Sequence, residues 1–101
     1  MTSDSVPRRA ERVPIEADID FRRPGDHRYR VQLLDFSALG CRIETPVKVA
    51  LDDHVRISLP GLESIQGYVC WVQGWTVGIE FDRPIYPSVY EAVRDRMRDS
   101  S

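Results

Sequence analysis

Short runs of alternating apolar and polar residues, each ended by a turn, occupy most of this chain. In one such run Val55, Ile57 and Leu59 alternate with polar neighbours. A period of two residues is that of a β-strand with one buried face. The predicted strands cover about residues 13–19, 29–34, 41–45, 54–59, 64–73 and 76–82. Strands at this spacing, joined by short turns, favour a closed or partly closed antiparallel barrel.

The period changes after the last predicted strand. Val89, Ala92, Val93 and Met97 share one face when the C-terminal segment is drawn as a helix. We therefore predict a helix over about residues 88–98 that closes one side of the barrel.

The length and composition describe one small domain. The chain has 101 residues and is 42% hydrophobic, which suits a single modest core. We expect residues 1–7 to be a flexible tail and residues 8–98 to be one domain, with the barrel over about 13–82. No segment approaches the roughly 20 apolar residues of a membrane helix, and the polar start of the chain does not resemble a secretory signal. We therefore expect a cytoplasmic protein with no membrane partner.

The charge pattern favours a small anionic ligand over a long nucleic acid. The net charge is −2. Of the 14 basic residues, 13 are arginine. Seven arginines and six acids precede residue 31, and the remainder of the chain is acidic. Proteins that bind long nucleic acids usually carry a broad basic surface. A few local arginines are better suited to planar, bidentate contacts with phosphates or purine edges.

Two motifs combine suitable groups for such a ligand. Arg8 and Arg12 form an Arg-x-x-x-Arg motif, and guanidinium pairs bidentately with phosphate or with guanine O6 and N7. Asp35, Ser37 and Gly40 form an Asp-x-Ser-x-x-Gly motif. A carboxylate accepts hydrogen bonds from the N–H groups of guanine, a hydroxyl serves base or phosphate, and glycine lets the backbone approach closely or turn. Each motif alone is also compatible with a solvated tail or an ordinary turn.

The ordered motifs resemble the PilZ domain family. The resemblance covers roughly residues 7–98 and includes Arg8-Arg9-x-x-Arg12, Asp35-x-Ser37-x-x-Gly40, Tyr68-Val69-Cys70-Trp71 and Val77-Gly78-Ile79-Glu80-Phe81. It implies an all-β fold, a six-stranded antiparallel β-barrel with a C-terminal α-helix. It also implies binding of the bacterial second messenger cyclic di-GMP, and no other cofactor.

The same resemblance implies seven ligand-binding residues: Arg8, Arg9, Arg12, Asp35, Ser37, Gly40 and Trp71. Arg8 and Arg12 would clamp guanine edges and phosphates, with Arg9 in an adjacent position. Asp35 would receive the donors of guanine while Ser37 assists and Gly40 permits the turn. Trp71 is compatible either with a contact to a base or with a place in the barrel core.

We therefore expect a non-enzymatic receptor. Ligand phosphates would order the N-terminal arginine segment and alter the surface that meets a downstream protein effector. One alternative is an interaction module of the same fold that does not bind nucleotide. A less favoured alternative is a single-stranded nucleic-acid binder that stacks bases on Tyr68, Trp71, Trp75 and Phe81. The sequence has no phosphate loop, no close histidine–carboxylate pair and no Cys/His cluster, so we expect neither catalysis nor a metal.

Overall fold

Six strands and one helix form a closed antiparallel barrel with a helical cap. The computed structural model describes residues 13–62 and 64–100, with side chains for residues 17–62 and 64–98. The elements are β1 (Val13–Arg22), β2 (Arg28–Phe36), β3 (Gly40–Glu44), β4 (His54–Ser58), β5 (Ile65–Gln73), β6 (Thr76–Phe81) and α1 (Pro87–Ser100). The strands close in the order β1-β2-β3-β6-β5-β4. The predicted six-stranded antiparallel barrel with a C-terminal helix is confirmed. The predicted tail, residues 1–7, lies outside the described residues.

Alternation of side chains fills the barrel. On β4, Val55 and Ile57 are buried whereas His54 and Arg56 are exposed. The largest fully buried side chains point into the barrel from several strands in the same way. They include Phe21, Leu33, Phe36, Ile43, Ile57 and Val69. Burial of this apolar surface is the main favourable term in the folding of a domain of this size.

Helix α1 covers the end of the barrel at which β2 finishes. The Tyr90 ring lies 4.9 Å from the Phe36 ring, between centroids, and its hydroxyl donates a hydrogen bond of 3.4 Å to the Phe36 carbonyl. Val93 and Met97 are buried beside it. The sequence prediction was wrong for Ala92, which is exposed, because Tyr90 occupies the buried face instead. None of the described segments forms a helix with the length and apolarity needed to span a bilayer.

Two of the three register shifts in the described strand pairs change which side chains of the cleft region face outward. The β2–β3 register shifts between Leu33 and Asp35, and the β5–β6 register shifts between Val69 and Trp71. A β-bulge inserts one residue on one strand, so the side chains beyond it face the opposite way from the regular pattern. Residues 31 and 33 and residues 67 and 69 are buried. A regular strand would therefore have pointed Asp35 and Trp71 into the core, and the bulges turn both outward.

Candidate ligand-binding cleft

The first described strand begins beside the Asp-x-Ser-x-x-Gly motif. Val13 pairs with Phe36, and Pro14 pairs with Asp35, at the start of β1. Arg12 is the residue that precedes Val13 in the chain. The three predicted arginines, Arg8, Arg9 and Arg12, themselves lie outside the described residues.

Ser37 shapes the turn between β2 and β3. The residue is 2% exposed. Its hydroxyl accepts hydrogen bonds from the backbone N–H groups of Leu39 and Gly40, at 3.1 and 3.2 Å, and donates to the Gly40 carbonyl at 3.3 Å. The Ser37 N–H donates to the same carbonyl at 2.8 Å. These four bonds make Ser37 a determinant of turn geometry.

Gly40 begins β3 and fits where a larger residue cannot. It does not adopt a positive φ. It pairs with Glu80, and a Cβ atom on Gly40 would overlap the backbone carbonyl oxygen of Ile79 on β6. The glycine is therefore required for close approach of β3 to β6 rather than for a left-handed turn. This contact anchors the motif to the barrel wall.

Asp35 is a buried carboxylate paired with an arginine on the adjacent strand. Its Oδ2 lies 2.9 Å from Nη2 of Arg42, and its residue exposure is 5%. The two residues are direct cross-strand partners beyond the β2 bulge. A carboxylate offers about four acceptor sites, so it can make several contacts at once. Arg42 is partly exposed, at 45% of its side chain, so its guanidinium is accessible from solvent.

Trp71 lies on the outside of the barrel. It pairs with Gly78, and its indole covers that glycine so closely that a Cβ atom at position 78 would overlap the ring. The residue is 38% exposed and is not part of the buried core. The β5 bulge therefore converts a position that alternation would bury into a surface aromatic held against β6.

These side chains line one shallow cleft. A cavity of about 200 Å³ is bordered by Asp35, Arg42, Trp71 and Gly78, together with Cys41, Cys70 and Ile79. The structure thus brings together two of the predicted site residues, Asp35 and Trp71. Ser37 and Gly40 form the turn that follows Asp35 and do not border the cavity.

Arg42 borders the cleft, and the sequence analysis did not select it. A signal for it was present, because a tight turn over residues 37–40 brings the residues just before and just after it into cross-strand register. Asp35 and Arg42 flank that turn with opposite charges, and such pairs stabilise neighbouring strands.

The alternative stacking platform does not form as a set. Phe81 is 4% exposed and belongs to the core, whereas Trp71 and Trp75 are exposed. Across the described residues, no three His, Cys, Asp or Glu side chains meet at a spacing suited to a metal ion.

Comparisons with known proteins agree with this architecture. The family model described as PilZ domain matches residues 7–95. Among solved structures, the Bacillus subtilis inhibitor of motility MotI/DgrA is similar, with a TM-score of 0.64 and 14% sequence identity. The alignment covers 92% of this chain and 50% of that chain, so this chain spans about half the length of that protein. At this identity the likeness concerns the fold. A search of curated proteins gives no match.

Proposed function

The chain belongs to the PilZ domain family, whose members are binding and adaptor modules, and from this premise we propose that it is a receptor for cyclic di-GMP. One observation carries the proposal. Asp35, Arg42 and Trp71 border a single cleft, and β1 begins beside that cleft directly after the arginine motif. An acceptor, a guanidinium and an aromatic face are the three chemistries that a guanine nucleotide engages.

Each side chain has a defined role in the proposal. The Asp35 carboxylate accepts hydrogen bonds from guanine N1–H and N2–H. Arg42 remains paired with Asp35, which orients the carboxylate, and turns its outer N–H groups toward a ligand phosphate. Trp71 stacks on a base, held flat by its contact with Gly78. Ser37 acts indirectly, by fixing the turn that follows Asp35.

The cleft needs further residues to hold a dinucleotide. Pockets for drug-sized ligands measure about 300–1,000 Å³, whereas this cavity measures about 200 Å³. We assign the missing contacts to Arg8, Arg9 and Arg12, which would bind guanine edges and phosphates from the opposite side. Binding then orders the N-terminal arginine segment and changes the surface offered to a protein effector. Hydrogen–deuterium exchange is expected to show residues 5–13 gaining protection when cyclic di-GMP is added.

Isothermal titration of the whole chain with cyclic di-GMP tests the function. We expect saturable binding, with a stoichiometry that reports whether one nucleotide or a stacked pair is bound. GTP at the same concentration serves as the control for nonspecific purine phosphate binding. Absence of heat in several buffers, with no change in hydrogen exchange, would contradict the receptor and favour an interaction module that does not bind nucleotide.

Trp71→Ala tests the stacking role. Base–aromatic stacking contributes about 1–3 kcal/mol per base, so we expect affinity for cyclic di-GMP to fall about fivefold or more. Trp75→Ala is the matched control, because Trp75 is also exposed but does not border the cleft. Equal affinity in the two variants would remove Trp71 from the site. Urea denaturation of each variant shows whether a loss reflects unfolding.

A further inference from the structure

A row of three arginines crosses the barrel far from the cleft. Arg22 on β1 pairs directly with Arg28 on β2 and with Arg56 on β4. All three are exposed and therefore share the outer face. Asp35 lies seven residues beyond Arg28 along β2, which at the rise of a strand corresponds to about 23 Å. The row and the cleft thus lie at opposite ends of the β1–β2 hairpin.

Two guanidiniums of this row have no ion-pair partner among the described residues. Arg28 lies 3.9 Å and Arg30 lies 3.2 Å from the carboxylate of Asp20. Arg22 and Arg56 form no ion pair with any residue in the part of the chain that the structure describes. Like charges directly opposite each other on neighbouring strands are destabilising. An anion placed between Arg22 and Arg56 would turn this repulsion into two attractive contacts.

The surroundings of the pair offer space for such an anion. A cavity of about 420 Å³ is bordered by Arg22 and Arg56 together with Arg23, His54 and Gln66, among others. Arg23 is already engaged, because it donates to Asp26 at 2.7 Å and to the Lys48 carbonyl at 3.1 Å. The hydrogen bond from Arg23 lowers the pKa of the Asp26 carboxyl. Arg23 therefore forms part of the cavity wall, and Arg22 and Arg56 provide the binding groups.

The pair also borders a second, smaller cleft. It measures about 60 Å³ and is bordered by Arg22, Arg28 and Arg56 with Asp20 and the hydroxyl-bearing Ser58 and Ser64, among others. Ser58 and Ser64 share a hydrogen bond of 3.4 Å between their hydroxyls. Asp20 is the carboxylate that borders this cleft, and it is already engaged with Arg28 and Arg30.

We propose that Arg22 and Arg56 form a second anion site, which binds the dianionic phosphate of a small phosphate monoester. Guanidinium forks match phosphate oxygens bidentately, and a phosphate monoester carries about −1.5 to −2 charges at pH 7. That charge neutralises two arginines at once. Each phosphate of cyclic di-GMP is a diester with a single negative charge, so this site discriminates against the ligand of the cleft.

Phosphate titration followed by NMR tests this site. Inorganic phosphate and glycerol 3-phosphate are added to the whole chain at constant ionic strength, and the side-chain Nε–Hε signals of arginine are recorded. We expect saturable shifts at Arg22 and Arg56, and affinity lowered about tenfold or more in Arg22→Gln and in Arg56→Gln. The control Arg83→Gln, at an exposed arginine outside both cavities, keeps the affinity of the parent chain. A better response to glycerol 3-phosphate than to inorganic phosphate identifies the organic ester as the ligand class.

Other outcomes would overturn the site. NMR shifts that rise linearly with phosphate and do not saturate would indicate only general screening of charge. An equal loss of phosphate affinity in Arg83→Gln would indicate the same. Tighter binding of succinate than of phosphate would replace the phosphate ligand by a carboxylate one. The thermal midpoint of unfolding gives a second readout: Arg22→Gln is expected to melt above the parent chain without phosphate, and phosphate raises the midpoints of the parent and of Arg83→Gln more than that of Arg22→Gln. The double variant Arg22→Gln/Arg56→Gln retains cyclic di-GMP binding, so failure of this site is distinguishable from failure of the receptor.

Discussion

Gly40→Val is expected to lower the free energy of unfolding by about 3 kcal/mol, which is a large part of the stability of a small domain. The cause is space. A Cβ atom at position 40 would overlap the carbonyl oxygen of Ile79, which is backbone and cannot rotate away. Separating β3 from β6 would break the pairing that runs from Gly40 to Glu44. Urea denaturation followed by circular dichroism measures the change.

Gly74→Ala is the matched control for that prediction. Gly74 has a φ of 63°, and its missing Cβ would meet no atom within 4 Å. The substitution therefore introduces only left-handed backbone strain, of about 1–2 kcal/mol. The Gly40 variant should be clearly less stable than the Gly74 variant. A Gly40→Val protein as stable as Gly74→Ala would show that β3 and β6 can separate at little cost, and that the turn is not anchored as described.

Asp35→Asn is expected to weaken cyclic di-GMP binding by about tenfold or more. The amide keeps the shape of the side chain but replaces one acceptor oxygen with a donor, so it cannot accept both guanine N–H groups. A bidentate contact of this kind contributes about 1–3 kcal/mol. The amide also loses the ion pair with Arg42, where Oδ2 and Nη2 lie 2.9 Å apart. Because Asp35 is buried, we expect an added loss of stability of about 1 kcal/mol.

Glu44→Gln provides the control for the loss of one negative charge. Glu44 lies on the same strand as Arg42, is exposed, and does not border the cleft. Calorimetric titration of both variants below their unfolding transitions separates binding from stability. Equal affinities in Asp35→Asn and Glu44→Gln would show that the buried carboxylate does not contact the ligand.

The alternation of side chains predicted the strands but not the local breaks in them. Val55 and Ile57 follow the period of two and are buried as expected. Trp71 and Asp35 do not, because one inserted residue before each reverses the direction of the side chain. A bulge has no strong signature in a single sequence, since any residue can occupy the unpaired position. The choice between core and surface for Trp71 therefore required the structure.

The Asp-x-Ser-x-x-Gly motif predicted a ligand-binding site. In the structure its three residues occupy different positions relative to the cleft. Asp35 borders the cleft. The Ser37 hydroxyl instead makes hydrogen bonds within its own turn, and Gly40 packs against β6. Sequence spacing reports that residues act together but not which of them face a ligand. Arg42 is not part of the motif, yet it borders the cleft because it is the cross-strand partner of Asp35.

The sharpest test of the receptor is a calorimetric titration of Arg8→Ala/Arg12→Ala with cyclic di-GMP. The control is Arg94→Ala/Arg98→Ala, which removes two arginines at the same spacing from α1. We predict that the first double variant loses affinity by about thirtyfold or more, as expected when two bidentate contacts of about 1–3 kcal/mol each are removed, and that the second binds as the parent chain does. Undiminished binding by Arg8→Ala/Arg12→Ala would contradict the proposal that the arginine segment and the Asp35 cleft hold the ligand together.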